Sequence, residues 1–459
     1  MTRIHLIGIG GTGLSAIARV LLEMGHAVTG SDRLESPFTQ DLRAAGATIS
    51  IGHHPENVQG AELVVRSSAI LDDNPEVLAA RQAGVPVLKR AEFLGSLTEG
   101  KTCIAVAGTH GKTTTTSMIA WMLSALDQDP SFISGGVLAN LGVNARAGKG
   151  KAFVIEADEY DRMFLGLKPD IEVILNVEHD HPDCYPTMED FQAAFVEFTG
   201  KLPQDGTLIF CTEDAGARQV ASHSRGTDRR MIGYGWSGQH SVIANEYSLA
   251  RDLHSRANGG FTCTAIIDRQ STSLELQVPG RHNVLNALAA LTVTSVLGLD
   301  LQHAARALEQ FTGTGRRFEL RGEAGGVLVI DDYAHHPTEI RATLSAARSR
   351  YPGRRIWAVW QPHTYSRTRT LFDGFATAFT DADAVIVTEV YQAREPQQDF
   401  SAEQVVKAMS HPAVQFIAGL AQVSDYLISH LSPGDVLLVL SAGDANQVSA
   451  QVLAHLMEV

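Results

Sequence analysis

Ala107-Gly108-Thr109-His110-Gly111-Lys112-Thr113-Thr114 sets two glycines, a lysine and a run of hydroxyls in the order a phosphate-binding loop requires. Glycines let backbone N–H groups approach phosphate oxygens. Lys112 offsets charge near the β- and γ-phosphates, and Thr113 presents a hydroxyl to magnesium. The spacing is a shorter Gly-x-x-Gly-Lys-Thr form, because Val106 stands where the longer motif has its first glycine. A bound triphosphate needs hard oxygen ligands for its metal. Glu156-Ala157-Asp158-Glu159-Tyr160-Asp161 and Asn176-Val177-Glu178-His179-Asp180-His181 offer them. The His-x-His pair would also suit zinc, but no obvious set of thiol ligands accompanies it.

A second glycine pattern opens the chain. Gly8-x-Gly10-x-x-Gly13, with Gly11 and Thr12 inside it, follows an apolar run, and Asp32 closes the next one. This meets the dinucleotide-binding fingerprint. The physics is general, however: glycines admit a pyrophosphate and a helix N-terminus favours its charge. NAD(P) and a UDP-type diphosphate both satisfy the loop, which does not choose between them.

These motifs need elements to aim them, and the apolar periodicity divides the chain into three segments. In residues 1–98, Ile4–Ile7, Ala27–Thr29, Leu63–Val65 and Val85–Leu88 read as strands, with a helix carrying Leu14, Ile17, Ala18, Leu21 and Leu22 on one face. In residues 99–315, the strand Cys103–Ala107 leads into the phosphate loop and a helix over Thr114–Leu126. Phe153–Ile155 and Val173–Leu175 are further strands, so both acidic stretches fall at carboxyl ends of strands, the usual ligand edge. Short alternating runs between about 205 and 280, such as Thr207–Cys211 and Ser273–Val278, predict a β-rich flank, followed by a helix over Asn283–Leu297. In residues 316–459, strands Val327–Ile330, Ile356–Trp360, Ala384–Thr388 and Val436–Leu440 alternate with helices over Thr338–Arg350, Thr368–Thr380, Ala402–Met409 and Ala421–Leu431. The fold class is α/β: a Rossmann-like first domain, a central P-loop ATPase-type domain with its β-rich flank, and a Rossmann-like third domain.

A formal net charge of −14 argues against a general nucleic-acid binder, whose footprint would be basic. The four cysteines (Cys103, Cys184, Cys211, Cys263) form no Cys-x-x-Cys pair, which suits a reducing cytoplasm. The N-terminus lacks a signal-peptide core, and no apolar stretch is long enough to span a membrane.

Taken together, the motifs resemble the Mur ligase family. They are His5–Ser15, Gly108–Thr115, Glu156–Asp161, Gly280–Ala287, Gly315–Phe318, Asp331–Glu339 and Gln361–Arg369, spread over nearly the whole chain. The resemblance implies a cytoplasmic enzyme, monomer or homodimer, that uses ATP and magnesium (Mg2+). It would activate the carboxylate of UDP-N-acetylmuramate as an acyl phosphate, which an amine then attacks. It resolves the first loop in favour of the nucleotide sugar. Gly10, Gly11, Thr12, Gly13, Asp32, His53, Ser67, Ser68, Ala69 and Ile70 would line that site. Gly108, Thr109, His110, Gly111, Lys112, Thr113 and Thr114 would cradle the triphosphate, and His282, Asn283 and Asn286 would face adenine. Arg317 and Asp332 would reach phosphates and ribose as the domains close. Thr113, Glu156 and His181 would hold the metal, with Glu159 a further candidate. Tyr333, His335, His363 and Arg367 would form the amino-acid site, and Lys112, Glu156, His181, His335 and Arg367 would be catalytic.

Plainer readings exist for several of these residues. His282 and Asn283 would also serve as a helix cap, and His335 and His336 as a surface pair before Pro337. Two positions depart from the family pattern. Thr364 stands where many members carry arginine, and Phe195 stands near a lysine that sister ligases use to bridge magnesium ions. The Gln361–Arg369 stretch resembles the branch that adds L-alanine. Glu156–Asp161 resembles equally a branch that attaches a tripeptide. An NAD-dependent dehydrogenase and a non-catalytic nucleotide-binding module are the readings from other classes.

Overall fold

The computed structural model describes residues 1–237, 243–244, 246–256 and 259–458. Among these residues the strands form three sheets. The first is fully parallel, in the order Thr48–Ile51, Ala27–Asp32, Arg3–Ile7, Leu63–Arg66, Val87–Lys89. Its order reverses beside Arg3–Ile7, and there the first glycine loop leaves the sheet for the helix Thr12–Glu23.

The central sheet is larger than the periodicity implied. The expected β-rich flank does not stand apart. Thr207–Cys211, Arg230–Gly235 and Glu246–Ser255 continue the parallel ladder outward from Ile171–Ile174, and Phe261–Ile267 and Gln270–Leu276 add antiparallel strands at the edge. On the other side Thr102–Ala107 pairs with Ala152–Glu156, and then come Ser131–Leu138 and Val143–Arg146. The last two strands were not expected. Gly135-Gly136 interrupts the first, and the second is only four residues long.

The third sheet runs Glu319–Ala324, Val327–Asp332, Val436–Ser441, Ile356–Gln361, Ala384–Val387, Val414–Phe416. Val327–Asp332, Ile356–Gln361 and Val436–Ser441 are buried at every position, as expected of parallel strands covered on both faces. Glu319–Ala324 is a charged antiparallel edge strand with no apolar run to reveal it. The helix expected over Thr368–Thr380 is instead two short helices, Tyr365–Thr370 and Phe372–Ala376. The chain turns at Leu371, and Phe375 lands stacked on Trp360 with ring centres 4.5 Å apart.

The first two sheets share one continuous apolar core, from Ile4 to Phe311. The third sheet has its own two cores, one on each face. No helix among the described residues is long and apolar enough to cross a membrane.

Candidate active site between the second and third sheets

The phosphate loop leaves the carboxyl end of Thr102–Ala107. Gly111 has φ +82°, and a Cβ there would stand 2.9 Å from Asn286 Oδ1, so a side chain is excluded twice over. Asn176 clamps the loop: its Oδ1 accepts from the His110 N–H at 2.7 Å, and its Nδ2 donates to the His110 carbonyl at 3.0 Å. Lys112 curls back to the carbonyls of Gly108 and Thr109 and lies 2.9 Å from Glu159. Burial pushes Glu159 up to about 7, an effect that Lys112 only partly offsets. Glu156 takes the Thr113 hydroxyl at 3.1 Å on one oxygen and the Gly135 N–H at 2.6 Å on the other.

The third sheet supplies the facing wall. Arg367 Nε donates to Asp180 Oδ1 at 2.7 Å, a pair buried on both sides. One terminal nitrogen of Arg367 donates to His363 Nδ1 at 3.1 Å, and the other lies 3.4 Å from His181 Nδ1. Arg367, expected in the amino-acid site, is therefore already paired with a carboxylate of the central domain. Burial lowers His181 to about 4 and His363 to about 2, so both rings are neutral. His363 stacks on Tyr391. His335 lies beside His363, with ring centres 6.0 Å apart.

Beside the phosphate loop lies a cavity of about 670 Å³, lined by His110, His282, Asn286, Arg317 and Asp332 among others. That is ample for a nucleoside. His282 is held neutral, lowered by burial to about 4. Asn286 Nδ2 donates to Asn283 Oδ1, and Asn283 Nδ2 to the Pro279 carbonyl. Burial raises Asp332 to about 6 although it accepts the N–H groups of Phe318 and Ala334. Arg317 lies 3.6 Å from Glu339, and the guanidinium groups of Arg316 and Arg317 lie over the Tyr333 ring, 4.9 and 5.0 Å from its centre.

His110, Glu178 and His336 form a compact group of metal-donor side chains at the seam. Burial would lower His110, but its hydrogen bond to Glu178 and the charge of the adjacent Glu339 outweigh it and raise the ring to about 9. His110 Nε2 lies 3.0 Å from Glu178 and Nδ1 3.3 Å from Glu339, so the group forms an ion-paired contact between the two domains.

Three family models match consecutive parts of the chain. They are the Mur ligase family catalytic domain over residues 3–102, the Mur ligase middle domain over 106–294, and the Mur ligase glutamate ligase domain over 316–443. A UDP-N-acetylmuramate–L-alanine ligase of Alkaliphilus metalliredigens is 42% identical, covering 99% of this chain and 98% of its own. The chain belongs to the Mur ligase family. Among solved structures, the UDP-N-acetylmuramate–alanine ligase of Thermotoga maritima matches this Mur ligase with a TM-score of 0.80 at 29% identity, over 100% of both chains. A murein peptide ligase of Psychrobacter arcticus matches with 0.73 at 26%, over 100% of this chain and 99% of that one.

In this Mur ligase the first glycine loop brings together the residues expected there. Asp32 Oδ2 accepts the Gly10 N–H at 2.8 Å, so it closes the loop itself. Ser31 links His53 to the buried Glu76. Ser67 and Ile70 lie under Gly8. Gly11, Thr12, Ser68 and Ala69 are exposed beside them. Phe195 is deep in an aromatic cluster with Phe164 and Phe191. Thr364, with φ +67°, begins the Tyr365–Thr370 helix and donates its N–H to the Tyr391 carbonyl.

Several residues at these sites escaped the sequence reading. Arg90 covers Gly13 and reaches to 4.0 Å from Asp158 in the central domain. Asp180 and Glu178 lay within a stretch already noted, but their partners are far away in sequence. Glu339 had a local signal, since His336-x-x-Glu339 has the spacing of a capping box, and both halves of that box form.

Proposed function

We propose that this Mur ligase joins L-alanine to the carboxylate of UDP-N-acetylmuramate through an acyl phosphate, in the cytoplasm, as a step of peptidoglycan precursor synthesis. The observation that carries the reading is the meeting of phosphate-loop chemistry with the Arg367, His363 and His335 cluster across one seam. The full-length similarity to UDP-N-acetylmuramate–L-alanine ligases supports the choice of substrates.

Lys112 and the loop N–H groups neutralise and position the transferred phosphoryl group, which is most of what such transfer asks of a protein. The Thr113 hydroxyl and the Glu156 carboxylate, 3.1 Å apart, form a hard-oxygen pair suited to magnesium. His181, kept neutral by burial, is the third candidate ligand. Magnesium, when bound there, supplies charge neutralisation at the phosphate oxygens. His282, Asn283 and Asn286 would hold adenine, Arg317 and Asp332 the ribose and phosphates, and the first glycine loop the uridine diphosphate. Tyr333, His335, His363 and Arg367 would enclose the amino acid. Arg367 would reach its carboxylate through the terminal nitrogens left over from Asp180.

A tripeptide acceptor is the second reading, favoured by the likeness to a murein peptide ligase. The test is phosphate release with ATP, magnesium and each acceptor in turn. Release should require both UDP-N-acetylmuramate and L-alanine. Efficient turnover with the tripeptide and poor turnover with alanine would reverse the assignment, and rapid hydrolysis of ATP alone would remove the mechanism.

A further inference from the structure

Glu339 belongs to none of the ligand groups named above, yet its side chain is only 8% exposed and its two oxygens face two different sites. Oε2 lies 3.2 Å from His335 Nδ1 and accepts the His335 backbone N–H at 3.0 Å. Oε1 lies 3.3 Å from Nδ1 of the phosphate-loop His110 and 3.6 Å from Arg317. His335 Nδ1 also meets the Tyr333 carbonyl at 3.0 Å. Both neighbours of Nδ1 are acceptors, so Nδ1 carries the ring proton and Nε2 the lone pair. Asp180 Oδ2 lies 4.0 Å from Nε2, too far for a hydrogen bond, and Nε2 makes none to the described residues.

We infer that Glu339 is a positioning residue for amine deprotonation. It holds His335 in the tautomer whose Nε2 takes a proton from the incoming α-ammonium, and its other oxygen ties that arrangement to the phosphate loop through His110. The inference rests on the ligase reading above. An α-amine arrives protonated at neutral pH and cannot attack until it loses that proton. The proton passes to Nε2, and the freed nitrogen pair forms the bond to the acyl carbon. The acyl carbon–oxygen bond breaks with its electrons on the departing phosphate, which also takes the second amine proton. Because one carboxylate serves both His335 and His110, the base is set when the third domain sits against the ATP loop.

The test compares two acceptors in the full chain with ATP, magnesium and UDP-N-acetylmuramate. Hydroxylamine is already unprotonated at neutral pH, so it traps acyl phosphate without needing a base, whereas alanine needs one. In Glu339→Gln, whose amide oxygen still caps the helix, the ratio of alanine to hydroxylamine turnover should fall about a hundredfold, the size of a general-base contribution. An unchanged ratio overturns the inference and leaves the ligase reading standing. Absence of hydroxamate from the wild-type protein overturns the ligase reading instead. If Glu339→Gln fails to fold, His335→Gln carries the same comparison and must show the same fall. NMR of the histidine ring nitrogens supplies a readout that lost stability would not mimic. His335 should be the Nδ1–H tautomer in the wild-type protein, and an Nε2–H tautomer there would overturn the inference.

Discussion

Lys112 is 12% exposed and its ammonium lies 2.9 Å from Glu159, so its removal touches both chemistry and stability. Lys112→Ala should lower phosphate release by at least about a hundredfold, as expected when a preorganised charge on the transferred group is lost. It also leaves Glu159 buried without its cation. Burial raises Glu159 to about 7, so it binds a proton more tightly folded than unfolded. A carboxyl of that kind contributes stability at low pH and loses it as pH rises from its ordinary 4.5 through the folded value. The melting deficit of Lys112→Ala should therefore be larger at about pH 8 than at about pH 5. Equal deficits in the two melts would contradict this. Arg367→Ala strands the Asp180 carboxylate in the same way. It should cost about 3–5 kcal/mol in denaturant unfolding, besides raising the Michaelis constant for alanine.

The strand Ser131–Leu138 positions chemistry by having no side chain at one point. A methyl group on Gly135 would stand 2.8 Å from Glu156 Oε2, where the Gly135 N–H now fixes that carboxylate. Gly135→Ala should raise the magnesium needed for half-maximal turnover about tenfold, the low end for disturbing a group that orients a ligand. A magnesium titration checks it, and an unchanged requirement would separate Glu156 from the metal. This strand also shows where sequence stops being legible. Val327–Asp332 and Thr102–Ala107 are apolar runs, one ending in the candidate Asp332 and the other leading into the glycine loop, and periodicity finds them directly. Gly135-Gly136 breaks that signal in the very strand whose backbone holds Glu156. The phosphate loop is read from local spacing, whereas Arg367 and Asp180 are 187 residues apart and leave no local trace of their pairing. Glu339 lies between these cases: its capping spacing is visible in the sequence, but its reach to His110 depends on how the domains meet.

Across the whole molecule, one apolar core joins the first two sheets, while the third meets them at the site through a largely polar seam. His110 bridges Glu178 and Glu339, Thr338 donates to Glu178 at 2.9 Å, and Arg367 pairs with Asp180. His110 is raised to about 9 against its burial, so its contribution is complete below its ordinary 6.5 and is lost as pH rises through 9. Glu178 is lowered to about 2 against its burial by its bond to His110, so its contribution is complete above 4.5 and is lost as pH falls through 2. Between about pH 6.5 and 9 the wild-type protein should lose on the order of 2 kcal/mol more stability than His110→Gln, measured by denaturant unfolding at each pH. Parallel curves for the two proteins would mean that the seam is not ion-paired as described. The claim that this seam joins a single amino acid to an activated carboxylate is tested most directly by following oxygen. UDP-N-acetylmuramate with heavy oxygen in its carboxylate is incubated with ATP, magnesium, L-alanine and the competing tripeptide, and the products are weighed by mass spectrometry. The alanyl amide should be the product, with one heavy oxygen in the released phosphate; unlabelled phosphate, or the tripeptide amide in place of the alanyl amide, would contradict the claim.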